Sequence, residues 1–308
     1  MQGFFVPAAL ALATCAAIAP PAIAQSAPAA SHVASIPTAN LYPHIRTRLH
    51  GNTGPLVILI PGMSTPGAVW DDSVARLSAN HPLLVVEVRG FDGERGTANE
   101  AAGVIAGMVA DLSADLAARN IGPATIAGHS FGGLVAMQFA LDHPRQTSRL
   151  LIVDALPFFG TVIRPDASVE NIAPQASRMH DGIIANADAM RAAGARGVAQ
   201  GVVGQWSVGQ ENATRIANWA MRAEPNVVAE AMVEDMQLDL RTDIARIHVP
   251  ISVLYQAEGN PEFASARYSA DYAANPAVHL VPVTRTAHFI MLDRPDAFDA
   301  ELAAILAR

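Results

Sequence analysis

Short runs of mostly apolar residues recur along this chain, and each is bounded by turn-forming residues such as Gly, Pro or Asp. Runs of this kind predict strands that are buried on both faces of a sheet. A more polar first strand is expected at Ile45–His50. The apolar runs are Leu56–Ile60, Leu83–Val88, Ala124–Ala127, Leu150–Val153, Ile251–Tyr255 and Val278–Val283.

Between these strands, apolar residues recur at every third or fourth position, which is typical of helices with one buried face. Such stretches are Trp70–Ser78, Ala101–Arg119, Leu134–Leu141 and Pro295–Ala307. Buried strands that alternate with helices predict an α/β fold, with a mostly parallel, doubly wound sheet that has helices on both faces.

One long interval, from Pro157 to about Arg246, lacks a strong strand pattern. Its helical stretches lie near Ala176–Ala193, Asn212–Arg222 and Val227–Leu238. Because open α/β sheets bind ligands at the carboxyl ends of their strands, we expect this interval to form a helical cap there, at about residues 157–246.

Composition agrees with a large folded domain. The chain has 308 residues, of which 51% are hydrophobic and 16% charged, so a substantial core is expected. The net charge of −8, without a basic cluster, argues against a nucleic-acid or an anionic membrane surface as partner.

The first 24 residues form a separate segment. Phe4 to Ile18 is apolar and uncharged, and the segment ends with small residues at Ala22 and Ala24. This pattern predicts a signal peptide at residues 1–24 and an exported protein, periplasmic or secreted, that is not stably inserted in the membrane after signal removal. The alternative is an N-terminal membrane anchor.

The only cysteine, Cys15, lies within this segment, so we expect a mature protein without disulfides or a thiol nucleophile. Residues 25–44 are rich in Ala, Ser and Pro and predict a flexible lead-in. The folded domain is then expected to span residues 45–308.

The stretch Gly128-His129-Ser130-Phe131-Gly132 stands where a strand is expected to turn sharply into a helix. A serine at the tip of so tight a turn has a strained backbone, and side chains two residues before and after it would collide, which glycine avoids. Ser130 is therefore the candidate nucleophile. The backbone N–H of Phe131, at the start of the helix, is a candidate oxyanion donor.

A serine hydroxyl needs a base within hydrogen-bond reach. His288 follows the last predicted strand and a short loop, and in a sheet of this type that loop returns to the serine turn. His129 is too close to Ser130 to act as its base, and we expect it to pack beside the turn or line the pocket.

The base in turn needs a carboxylate that orients it. Glu258, just after the strand Ile251–Tyr255, is favoured by position. Asp154, at the end of the preceding strand, is the alternative, and Glu262 is a further one.

Met63, in the loop after Leu56–Ile60, is the candidate second oxyanion donor through its backbone N–H. A tight turn without such a role is the alternative. No Cys/His spacing indicates a metal site, and the chemistry requires no cofactor. Aromatic side chains could line the substrate pocket, although each alone is more often part of a core; they are Trp70, Phe158, Phe159, Trp206 and Trp219.

Taken together, these motifs resemble the α/β-hydrolase family, in particular its small esterase- and lipase-like branch with a helical cap. The resemblance runs from about Leu56 to the C-terminus. It rests on Pro61-Gly62 with Trp70, Val88-Arg89-Gly90-Phe91, Gly128-His129-Ser130-Phe131-Gly132-Gly133, and Ala287-His288-Phe289 followed by Asp293-Arg294-Pro295.

Two positions depart from the family pattern. The family often has His-Gly where this chain has Pro61-Gly62, which should leave the backbone donor unaffected. It usually has an aspartate after the strand that here ends at Tyr255, where this chain offers Glu258. The order of serine, acid and histidine along the chain is the family order.

The resemblance implies a serine hydrolase that cleaves a small-molecule carboxylic ester through an acyl-enzyme. The same fold could instead hydrolyse a lactone, an amide or a C–C bond, or carry out cofactor-free perhydrolysis. An alternative of another class is a non-catalytic ligand-binding protein on a hydrolase scaffold.

Overall fold

The structure, a computed structural model, describes residues 39–308, in which the apolar runs predicted above form strands. The strands are β1 (Ala39–Leu41), β2 (Ile45–His50), β3 (Val57–Ile60), β4 (Leu83–Val88), β5 (Ala124–His129), β6 (Thr147–Val153), β7 (Ile251–Gln256) and β8 (His279–Val283).

They form one eight-stranded sheet in the order β1-β2-β4-β3-β5-β6-β7-β8. The pairs β1–β2 and β2–β4 are antiparallel, whereas all other neighbours are parallel. The predicted α/β architecture with a mostly parallel sheet is thus confirmed. Since β3, β5, β6, β7 and β8 are parallel, their carboxyl ends lie along one edge of the sheet.

Helices cover both faces, because successive side chains of a strand point to opposite sides. Ile58 and Ile60 of β3 belong to one apolar cluster, with Leu134 of the helix after β5. Val57 and Leu59 belong to the other. Helices that alternate with the strands are α1 (Asp71–Leu77), α2 (Val104–Ala118), α3 (Phe131–Asp142), α8 (Pro261–Asp271), α9 (Ile290–Asp293) and α10 (Pro295–Leu306).

A helical insertion separates β6 from β7. It comprises α4 (Gly160–Ile163), α5 (Val169–Val202), α6 (Gln210–Arg222) and α7 (Pro225–Gln237), and a 3-10 turn at Asp243–Arg246 follows it. The long helix α5 is broken at Gly194, whose φ of 70° and ψ of 160° lie outside the helical region. The three helical stretches expected in this interval are present as α5, α6 and α7, although α5 extends further in both directions.

The sequence patterns above predict neither β1 nor helix α8. β1 (Ala39–Leu41) lies in the stretch whose composition predicts a flexible lead-in, yet it pairs with β2. Helix α8 begins at Pro261, and the Asn260 side chain accepts a hydrogen bond from the N–H of Phe263. Asn followed by Pro is a recognised helix start, so this helix was detectable in the sequence.

The predicted signal peptide and the rest of the lead-in lie outside the described residues. Among the helices of residues 39–308, none has both the length and the apolar composition that crossing a bilayer requires.

Candidate active site

Ser130 occupies a strained turn between β5 and α3. Its φ of 52° and ψ of −125° are unfavourable for a residue with a side chain. A Cβ atom on Gly128 would lie 2.2 Å from the carbonyl oxygen of Gly132, and one on Gly132 would lie 2.5 Å from that of Pro61. A residue with a Cβ atom would therefore clash at either position, as the spacing predicts, and glycine at both positions permits the turn.

The loop after β3 lies directly against this turn. A Cβ atom on Gly62 would be 3.2 Å from Cβ of Ser130, so Met63 follows at the edge of the serine site. Within residues 39–308, the hydrogen bonds of turns, loops and caps leave the backbone N–H groups of Met63 and Phe131 unused. Both groups are therefore available to a ligand oxygen beside Ser130.

His288 forms a short hydrogen bond with Asp154. Its Nδ1 atom lies 2.7 Å from Oδ2 of Asp154, whose side chain is 8% exposed. The other oxygen, Oδ1, accepts hydrogen bonds from the backbone N–H of Gln256 and from the hydroxyl of Tyr268, both at 2.9 Å. Burial, and then the Asp154 carboxylate, raise the pKa of Tyr268 well above its usual value, so the tyrosine remains a neutral donor.

This placement differs from the expected preference for Glu258. Oε2 of Glu258 accepts a hydrogen bond from the backbone N–H of Arg285 at 2.7 Å, and Glu262 lies exposed in the first turn of α8. The carboxylate that contacts His288 is the alternative, Asp154. It stands one strand earlier, at the end of β6, and its φ of 48° turns the chain sharply there.

His129 is buried beneath His288. Its Nε2 atom lies 3.0 Å from the backbone oxygen of His288, which requires Nε2 to carry the proton. Its ring also contacts those of His288 and Phe289, with centroid separations of 4.7 and 4.5 Å. Burial is the main cause that holds the pKa of His129 well below its usual value, and the neighbouring His288 adds to this. His129 is thus a neutral support for the His288 loop.

Asp293 fixes the same loop from the other side. Its carboxylate accepts hydrogen bonds from the backbone N–H groups of Ala287 and Val208 and from the hydroxyl of Ser207. The backbone N–H of His288 itself donates to the carbonyl oxygen of Gln205 at 3.2 Å. These contacts tie the His288 loop to the segment between α5 and α6.

Two cavities meet at Ser130 and His288. The larger has a volume of about 690 Å³ and lies under α5, α6 and α7. The smaller, of about 460 Å³, lies between the His288 loop and α8. Five residues line both cavities: Ser130, Phe159, Trp206, Asp235 and His288.

Five methionines line the larger cavity, and the thioether side chain adapts its shape to different apolar ligands. They are Met63, Met179, Met190, Met221 and Met232. The larger cavity therefore suits an apolar group of variable shape.

Of the expected pocket residues, Phe159 and Trp206 line the cavities and the others do not. Trp70 is fully buried in the core against Phe298, with ring centroids 5.5 Å apart. Phe158 is fully buried in a small cluster under the guanidinium of Arg241. Trp219 packs against the apolar cluster that contains Trp70 and Phe298.

Asp235 was not identified from the sequence. It lies on α7 and is 7% exposed, and burial raises its pKa to about 7. The sequence did contain a sign of it, since Val228, Met232 and Asp235 share one face of the helix at helical spacing. A carboxylate that continues an apolar stripe indicates either a buried partner or a ligand.

Within residues 39–308, no group of three or more His, Cys, Asp or Glu side chains is arranged to hold a metal ion.

The sequence profile of the Alpha/beta hydrolase family matches residues 57–301. Over 272 residues the chain is 24% identical to a pimeloyl-[acyl-carrier protein] methyl ester esterase of Pectobacterium atrosepticum, covering 82% of this chain and 94% of that protein. It is 32% identical over 124 residues to the polyketide synthase ThaQ of Burkholderia thailandensis. That match covers 39% of this chain but only 6% of the synthase.

Solved structures resemble the whole described domain. A thermophilic esterase of Thermogutta terrifontis superposes with a TM-score of 0.68 at 20% identity, covering 88% of this chain and 96% of the other. The enol-lactonase of Burkholderia xenovorans LB400 superposes with a TM-score of 0.65 at 19% identity, covering 86% and 96%. At these identities the likeness concerns the fold.

Proposed function

We infer that this chain, which belongs to the alpha/beta hydrolase family, is a serine hydrolase that cleaves carboxylic esters through an acyl-enzyme intermediate. One observation carries the proposal. The Asp154–His288 hydrogen bond lies at the wall of the cavities into which the strained Ser130 opens. Nucleophile, base and orienting acid are thus Ser130, His288 and Asp154.

The first half of the reaction forms the acyl-enzyme. Oγ of Ser130 attacks the ester carbonyl carbon while Nε2 of His288 accepts the hydroxyl proton. The Asp154 carboxylate stabilises the resulting imidazolium, because its Oδ2 accepts the hydrogen bond from Nδ1. The tetrahedral intermediate collapses, its bond to the alcohol oxygen breaks, and His288 returns the proton to that oxygen.

Water completes the second half. His288 removes a proton from water, the hydroxide adds to the acyl carbon, and the bond to Ser130 breaks with proton return to Oγ. In both halves the negative oxygen binds the N–H groups of Met63 and Phe131. Each such donor lowers the barrier by about 3 kcal/mol in hydrolases of this chemistry.

The relatives support an ester as substrate. A relative that matches over most of both chains is a methyl ester esterase, and one solved neighbour is an esterase. Another neighbour is an enol-lactonase, and a lactone is an internal ester that the same steps would open. Linear and cyclic esters are therefore the two substrate classes to compare first.

We further propose that residues 1–24 direct export and that the insertion of about residues 157–246 acts as a cap which selects the acyl or alcohol group. The charge of −8 makes a nucleic-acid substrate an unsuitable alternative.

The test is turnover of p-nitrophenyl butyrate by the wild type and by Ser130→Ala, with mass spectrometry after treatment with a p-nitrophenyl phosphonate. We expect wild-type turnover, one phosphonyl group on Ser130, and loss of both in the variant. If folded wild-type protein neither hydrolyses activated esters or lactones nor reacts with the phosphonate, the proposal is wrong and a binding role on this fold takes its place.

A further inference from the structure

Asp235 reaches the junction of the two cavities from α7, where it shares both walls with Ser130 and His288. Its side chain is more than nine-tenths buried, and no hydrogen bond or ion pair to its carboxyl group is formed within residues 39–308. The neighbouring His288 favours the ionised carboxylate electrostatically but does not hydrogen-bond to it. A buried carboxyl group without a hydrogen-bond partner is costly, so its presence indicates a ligand that supplies one.

The position of Asp235 is fixed by its neighbour. The carboxylate of Glu234 accepts hydrogen bonds from the backbone N–H groups of Gly103, Val104 and Ile105, at the start of α2. A carboxylate is favourable at a helix N-terminus, which carries a partial positive charge. Helix α7 is therefore anchored to the main domain one residue before Asp235, and the Asp235 carboxyl group is held over the serine site.

The charges around the cavities narrow the possible ligands. Arg178 and Arg191 line the larger cavity beside the single carboxyl group of Asp235, so the charge of that lining does not favour a cationic ligand. Arg267 lines the smaller cavity together with Asp154 and Asp235. His288 and Asp154 are already paired with each other. A neutral hydroxyl both donates and accepts hydrogen bonds, so it can pair with the carboxyl group of Asp235 in either protonation state.

We propose that Asp235 recognises a hydroxyl group of the substrate, carried close to the ester bond that Ser130 attacks. The preferred substrate is thus a hydroxylated ester or lactone with an otherwise apolar body that fills the methionine-lined cavity. This inference rests on the proposed hydrolase function and adds a substrate class to it. Because Asp235 lines both cavities, the hydroxyl belongs either to the acyl group or to the alcohol group of the ester. Substrates that carry the hydroxyl on only one of these two groups distinguish the possibilities.

The experiment compares two matched substrate pairs. The pair that tests the acyl group is p-nitrophenyl 3-hydroxybutyrate and p-nitrophenyl butyrate. The pair that tests the alcohol group, followed in a pH-stat, is ethylene glycol monobutyrate and ethyl butyrate. We expect wild type to favour the hydroxylated member of one pair by roughly 10- to 100-fold in kcat/KM, as a hydrogen bond to a charged group would give. Asp235→Leu should abolish that preference, which is measured as the ratio of the two kcat/KM values and so does not require an unchanged rate with the plain ester.

Two further variants serve as controls. Asp235→Asn keeps the shape and the ability to hydrogen bond, so it should retain some of the preference. Glu230→Gln removes a carboxylate from the same helix that faces His180 and lines neither cavity, so the preference should be unchanged. If wild type shows no preference in either pair, or if Asp235→Leu retains it, the assignment of Asp235 is refuted.

A binding measurement separates this inference from the hydrolase proposal. Ser130→Ala and the double variant Ser130→Ala/Asp235→Leu are titrated with the same ester pairs, and the fluorescence of Trp206, which lines both cavities, reports binding. Tighter binding of the hydroxylated ester that is lost in the double variant supports Asp235, even if the wild type hydrolyses nothing. Equal binding of both esters by both variants overturns it, even if the wild type is an active esterase.

Discussion

His288 and Asp154 are 134 positions apart in the chain, yet Nδ1 of the histidine lies 2.7 Å from Oδ2 of the aspartate. The aspartate is itself held by two further donors, the N–H of Gln256 and the hydroxyl of Tyr268. A carboxylate with this number of fixed partners keeps the imidazole in one tautomer and one orientation.

Replacing Asp154 should therefore reduce turnover strongly. We expect Asp154→Asn to lower kcat for p-nitrophenyl butyrate by roughly 10³- to 10⁴-fold, because an amide disturbs the tautomer and does not stabilise the imidazolium. Glu258→Gln removes only the acceptor of the Arg285 N–H and should change kcat less than about threefold. Stopped-flow rates on folded variants, checked by circular dichroism, decide between the two carboxylates. A large loss in Glu258→Gln alone would reverse the assignment.

A comparison of Tyr268 with Tyr272 tests the hydrogen bond that Tyr268 donates to Asp154. The hydroxyl of Tyr268 donates to Asp154 at 2.9 Å, whereas that of Tyr272 donates to the backbone oxygen of Ala155 at the same distance. Tyr268→Phe should lower kcat by about 3- to 10-fold, since the carboxylate loses one fixed donor. Tyr272→Phe should cost a similar amount of stability, about 1 kcal/mol, and leave kcat nearly unchanged. Equal effects of both variants on kcat would show that Tyr268 acts only through stability.

The sequence predicted the sheet and the serine turn because both follow from local patterns. Apolar runs between turn residues mark buried strands, and the steric demand of the turn requires glycine at positions 128 and 132. The choice between Asp154 and Glu258 did not follow in this way. Both come at the carboxyl ends of neighbouring parallel strands, and only the course of the His288 loop determines which carboxylate meets the imidazole.

The residues that line the cavities were also only partly predictable from the sequence. Aromatic composition alone did not separate Phe159, which lines both cavities, from the adjacent Phe158, which is fully buried. Both rings contact the same apolar cluster, and the three-dimensional course of the chain decides that only Phe159 also reaches the ligand space. Asp235 was missed although its helical spacing from Val228 and Met232 was visible, because an acidic residue in a predicted helix is usually solvent-exposed.

The steric crowding at the serine turn leads to a prediction for stability. Gly128→Ala should destabilise the protein by about 3 kcal/mol or more, because the new Cβ atom would lie 2.2 Å from the backbone oxygen of Gly132 in helix α3. Gly197→Ala is the control, since the Cβ atom there would lie 3.7 Å from the nearest atom, in the exposed stretch of α5 after Gly194. It should stabilise by about 0.5–1 kcal/mol through helix propensity. Urea unfolding measures both, and similar effects of the two changes would contradict the steric explanation.

His129 should make the protein sensitive to acid. Its pKa in the folded state lies well below the value of 6.5 expected in the unfolded chain. Above pH 6.5 the ring is neutral in both states, and its full contribution to the free energy of unfolding is present. As the pH falls below 6.5, the unfolded chain binds a proton that the native protein does not, and the free energy of unfolding decreases by up to about 1.4 kcal/mol per pH unit. His129→Gln should be less stable than wild type at pH 7 but lose less stability between pH 6.5 and 5. The exposed His248→Gln should follow wild type at every pH, and a His129 variant that does so as well would refute the prediction.

Asp235 should act in the opposite direction over an overlapping pH range. Its folded-state pKa of about 7 exceeds the ordinary value of 3.8, so the native protein holds a proton that the unfolded chain has released. The contribution of Asp235 to the free energy of unfolding is therefore highest below pH 3.8. It decreases as the pH rises to 7, by at most roughly 4 kcal/mol.

Replacing Asp235 by a neutral residue should show directly how much its buried charge destabilises the protein. Asp235→Asn should be more stable than wild type by on the order of 1–3 kcal/mol at pH 8, and the difference should nearly vanish at pH 4, where both side chains are neutral. Urea unfolding of both proteins at pH 4, 6 and 8 measures the difference, and His129 contributes equally to both proteins and cancels. Glu230→Gln, the change on the same helix outside the cavities, should show no such trend with pH. If Asp235→Asn stabilises the protein equally at pH 4 and pH 8, the carboxyl group does not titrate near neutrality. The cost of burying Asp235 would then not come from its ionisation.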